Sequence, residues 1–113
     1  MQFIASPGSS VQAVLKVAGF DKSEGVMTAQ YFKEPGDPAG EKDAAMQEYF
    51  AFMKKYAANE SPLDAIGVSG YVNAQMAVHV LGQAGNELTR ENLIKVATTQ
   101  KNVTLPMLLP GMT

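Results

Sequence analysis

Cysteine is absent from the 113-residue chain, which excludes a disulfide framework, a thiolate metal site and a cysteine nucleophile and leaves the redox compartment open. Long apolar runs are missing too. No uninterrupted hydrophobic stretch approaches the ~20 residues needed to cross a bilayer, and Met1–Ser6 has no basic region ahead of a long apolar one, so nothing reads as a secretory signal. Neither sign of charge is in excess. Nine Lys and Arg against eleven Asp and Glu leave a net charge of −2, too little to draw nucleic acid or an anionic membrane. The one basic pair, Lys54-Lys55, reads as a solvated helix face. Histidine occurs once, as His79, with no Asp, Glu or Cys three or four residues away, so a metal or triad role lacks partners and a structural role is expected.

What is present fits one soluble globular domain: 46% of the residues are hydrophobic and 18% charged, the ordinary balance for a packed core. Gln2–Ala5 reads as a short strand that ends at the turn Ser6-Pro7-Gly8-Ser9-Ser10. Val11, Val14, Leu15 and Ala18 then recur at helical spacing, with Ser9 or Ser10 as N-cap and Gly19 as the stop. Val26–Phe32 is rich in β-formers and reads as a strand, and two prolines and two glycines between Lys33 and Gly40 make a loop.

Three helices follow. Asp43–Ala58 places Ala45, Met46, Tyr49, Phe50, Met53, Tyr56 and Ala57 on one face. The second helix grows from Ser61-Pro62 through Gly70-Tyr71 to Gly85 and is apolar round most of its circumference. Gln75, His79, Gly82 and Gln83 form its narrow polar stripe. The arc through Val72, Met76 and Val80 therefore requires cover, from the Tyr49–Met53 helix, from the tail or from another copy of the chain. Thr89 caps a third helix running from Arg90 to about Thr99, with Leu88 and Leu93 spaced as a hydrophobic staple. The tail Val103–Thr113 is apolar and proline-broken, and Leu105, Met107, Leu108, Leu109 and Met112 ask for more cover than the remaining chain offers. Few strands for so many helices is an awkward count for a self-contained α/β sheet.

Catalytic signatures are weak. Gly67-Val68-Ser69-Gly70 approaches a nucleophile elbow, but its second glycine falls one position early and its flanks are helical. Ser6-Pro7-Gly8-Ser9-Ser10 lacks the lysine and spacing of a phosphate loop. It remains either a plain strand-to-helix turn or a source of hydroxyl and N–H donors for an organic carboxylate. Asp37, Glu41, Asp43 and Glu48 have neither calcium-loop nor paired-carboxylate spacing. Asn73 points into the arc shared with Val80 and Ala84, where a buried amide needs partners: either a satisfied core group or a ligand contact.

Several stretches, in their order and spacing, carry a resemblance over nearly the whole chain. They are Glu24–Ala29, the loop with Asp37-Pro38, Met46–Tyr56, Gly70–Gln75, Val80–Gly85, Leu88–Leu93 and Leu105–Gly111. Together they resemble the C-terminal portion of periplasmic substrate-binding proteins of ABC transporters, of the branched-chain amino acid type. The resemblance implies an α/β fold, a fragment of a type I periplasmic binding protein with flavodoxin-like lobes, helix-rich with two or three short strands. Residues 1–26 would end the second lobe. Residues 27–113 would hold a hinge crossing at Met27–Phe32 and helices of the first lobe, truncated before the last crossing.

The implied function is noncovalent capture of a small organic solute (amino acid, aromatic or other organic acid) in an interlobe cleft, delivered to an ABC transporter permease in the periplasm. No catalysis, metal or cofactor is implied. In amino-acid-binding members the loop matching Ser6–Ser10 can carry an acid that holds the solute ammonium, and this chain has no acidic residue between Met1 and Phe20. The candidate contacts are Ser6, Ser9 and Ser10 from that loop and Val68, Ser69, Tyr71 and Asn73 from the start of the second helix. An alternative reading is a truncated ligand-binding or sensor module acting through protein–protein contact, including self-association as a homo-oligomer.

Overall fold

The computed structural model describes the backbone of Phe3–Ile4 and residues 14–113 in full. Its elements in order are β1 (Phe3–Ile4), α1 (Lys16–Ala18), a 3₁₀ turn (Phe20–Lys22), β2 (Val26–Met27), a second 3₁₀ turn (Pro38–Gly40), α2 (Ala44–Tyr56), α3 (Ala65–Ala84) and α4 (Arg90–Thr98). The structure is helix-rich, and among the described residues its only sheet is the two-residue parallel pair of β1 and β2, with Phe3 opposite Val26 and Ile4 opposite Met27. The expected N-cap at Ser9 or Ser10 lies outside the described residues. Gly19 ends α1 as expected: its N–H closes on Leu15 O at 3.0 Å, and its φ of 96° is open chiefly to glycine.

The strand expected over Val26–Phe32 forms only at its first two residues. A strand persists only where a neighbour supplies hydrogen bonds, and β1 pairs with Val26 and Met27 alone. The chain then runs irregularly to Phe32, which makes an antiparallel bridge to Leu108. Lys33 N–H donates to Met107 O (2.8 Å) and Leu109 N–H donates to Tyr31 O (3.0 Å), so segments 31–33 and 107–109 lie side by side.

α2 starts one residue after Asp43, whose carboxylate accepts from Ala45 N–H and Met46 N–H and also pairs with Lys33 Nζ at 2.7 Å. Its buried stripe is Met46, Tyr49 and Met53, three and four residues apart. The stripe is narrower than expected, because Tyr56 lies mostly in solvent, with Lys55 Nζ over its ring at 4.9 Å. α3 begins later than the Ser61-Pro62 signal suggests. Ser61 accepts from Leu63 N–H in a local turn, and Asp64, accepting from Ile66 N–H, is the actual cap. Thr89 caps α4 as expected, accepting from Asn92 N–H, while Leu88 stays exposed and buries no staple.

The core consists of Phe32, Met46, Tyr49, Met53, Ala65, Val68, Val72, Leu105 and Met107. It gathers α2, the first half of α3, the Phe32 segment and the tail. The tail therefore receives more cover than its sequence suggests: Met107 is fully buried and Leu105 nearly so, although Met112 remains exposed. On α3 the tail and α2 cover Val72, with Met76 packed partly against the same cluster. α4 packs on the other end of α3, where Asn92 Nδ2 donates to Glu87 O and Ala84 O.

The fold is open for its mass. Its accessible surface is 8101 Å², against about 6,000 Å² for a compact monomer of 12.1 kDa. Its radius of gyration is 16.7 Å, against about 13 Å for a compact domain of this length. Part of the excess is apolar side chain: Ile66, Val78, Leu81, Phe52 and Ile94 are each 40% exposed or more.

Candidate functional site

An open cleft of about 610 Å³ runs along one face of α3. Gly67, Gly70, Tyr71, Ala74, Gln75, Val78 and His79 form its α3 wall, repeating at three- and four-residue intervals. Glu48, Phe52 and Met53 of α2 face them, and Thr104, Leu105 and Pro106 of the tail close one side. The two glycines make room. A Cβ on Gly70 would meet no neighbour within 4 Å, and one on Gly67 would stand 3.3 Å from Tyr49 Oη.

Aromatic rings build the α2 side. Tyr71 lies edge-on to Tyr49, with ring centroids 5.3 Å apart, and 5.0 Å from Phe52. Burial raises the Tyr71 phenol above its usual pKa, the Glu48 carboxylate adds to the rise, and the neighbouring Gln75 side chain opposes it. Tyr49 is raised for the same first reason, burial, with the Asp64 carboxylate contributing. Two buried oxygens next to this cluster, Tyr49 Oη and Gln75 Oε1, have no hydrogen-bond partner. Groups of that kind cost about 1–3 kcal/mol each when left unpaired.

His79 stands at the far end of the cleft and is structurally occupied. Its Nε2 lies 3.1 Å from Gln100 Oε1 and 2.9 Å from Gln83 Nε2, and Gln100 Nε2 donates to Gln83 Oε1 (2.9 Å) and Val96 O (2.9 Å). The network ties the second half of α3 to the end of α4. Depending on tautomer, Nε2 either donates to Gln100 or accepts from Gln83. Among the described residues no group of three or more His, Cys, Asp or Glu is placed to hold a metal ion, and no helix is long and apolar enough to cross a membrane.

Of the site residues expected from sequence, the structure places Tyr71 in the cleft wall. Ser69 is half-buried and outside that wall. Val68 is fully buried in the core cluster with Tyr49 and Met53 and does not line the cleft. Asn73 does not occupy the core position weighed for it and does not line the cleft. It is exposed, because it sits about 100° round the helix from Val72, off the buried stripe. Ser6, Ser9 and Ser10 lie outside the described residues. Sequence reasoning did not find Glu48, Phe52 or Thr104–Pro106 as cleft residues. Gln75 and His79 were within reach of it, since they follow Tyr71 by four and eight residues and so share its face.

Compared with known proteins, the chain matches no family model, no curated protein and no solved structure.

Proposed function

We propose that this chain is part of a type I periplasmic binding protein of the branched-chain amino acid class. In that reading it contributes the end of one lobe, a hinge crossing and helices of the other lobe. The whole protein captures a small organic acid or amino acid noncovalently by lobe closure and passes it to an ABC permease. No bond is made or broken. The observation that carries the reading is the backbone pairing of segments 31–33 and 107–109. The resemblance assigns a hinge crossing to Met27–Phe32 and has Val103–Gly111 approach the next crossing, and segments leading into neighbouring crossings run side by side at a hinge. The parallel β1–α1–β2 unit that feeds the first of them suits the end of an α/β lobe. The surface, about a third larger than a compact monomer needs, suits a lobe whose sheet is contributed elsewhere.

The test has two arms. The coding sequence flanking this stretch is expected to supply an upstream lobe. A melting screen of that longer protein against amino acids, aromatic acids and aliphatic carboxylates is expected to yield one stabilising class. Calorimetry on the 113-residue chain alone is expected to show weak binding or none. Tight stoichiometric binding of such a solute by the isolated chain would overturn the assignment, since half a cleft cannot enclose a ligand.

A further inference from the structure

We draw no further inference here: the strongest candidate, the open cleft between the Gly70–Ala74–Val78 face of α3 and the Glu48–Phe52 side of α2, carries nothing, because nothing in the structure shows what covers it.

Discussion

Replacing Tyr49 with phenylalanine isolates one atom whose burial the fold leaves uncompensated. The Tyr49 side chain is fully enclosed, its ring packs against Phe50 and Tyr71 with centroids 5.8 and 5.3 Å away, and its hydroxyl has no hydrogen-bond partner. Phenylalanine keeps the ring contacts and removes the stranded oxygen. The gain is the desolvation cost of an unpaired hydroxyl, about 1–3 kcal/mol, reduced by the small void the oxygen leaves. A net stabilisation of about 1–2 kcal/mol follows. For 113 residues the unfolding entropy is about 240 cal/mol/K, so thermal unfolding followed by circular dichroism should show Tm rising by about 4–8 °C. A second signature accompanies it. Burial raises the Tyr49 pKa, so the folded state holds the phenol neutral while the unfolded chain ionises it near 10. The wild-type chain therefore keeps its full stability below about pH 10 and loses part of it as pH rises from there through the folded-state value. Tyr49→Phe should flatten that alkaline loss to what Tyr71 alone causes. A fall in Tm would refute the argument, because it would mean that the hydroxyl is satisfied.

Three other outcomes rest on the same core and its edges. Gly67→Ala should gain about 1 kcal/mol of helix propensity only when Tyr49 is also phenylalanine, since its Cβ otherwise meets Tyr49 Oη at 3.3 Å; equal effects in both backgrounds, measured by denaturant titration, would sink the idea. Met107→Ala, at a fully buried tail position, should cost about 2–5 kcal/mol and speed hydrogen exchange at the Lys33 and Leu109 amides; a change below about 1 kcal/mol would mean the tail is not part of the core. The Lys33 ammonium, with the α2 amide N–H groups assisting, holds the Asp43 carboxyl below its usual pKa. Stability from this group is therefore present above its ordinary value and lost as pH falls through the depressed one. Asp43→Asn should flatten the acid limb of the unfolding curve, and an unchanged acid limb would remove Asp43 from the account.

Much of the local structure was legible because it depends on neighbours in sequence. The α2 stripe, the Thr89 cap and the Gly19 stop follow from periodicity and short side-chain-to-backbone reach. Asp64 was missed as a cap because Ser61-Pro62 offered a competing start three residues earlier, and only the turn geometry decides between them. The strand at Val26–Phe32 was overextended because β-propensity is a preference for a pleated neighbour, and that neighbour has to be present. The cleft was the least legible feature. Phe52 and Pro106 share it only because the tail folds back across α2 and α3, a contact between residues about 50 positions apart.

By itself, the sequence determined a cysteine-free, nearly neutral, helix-rich chain whose second helix is too apolar to stand alone. Those properties reside in composition and in the 3.6-residue period. Tertiary structure alone decided how that helix is covered: α2, Phe32 and the tail bury its Val68 and Val72 side, and its Gly70–Ala74–Val78 side stays open. The reason is physical. An apolar arc states that a partner is needed, and only the distances between elements settle which surface supplies it.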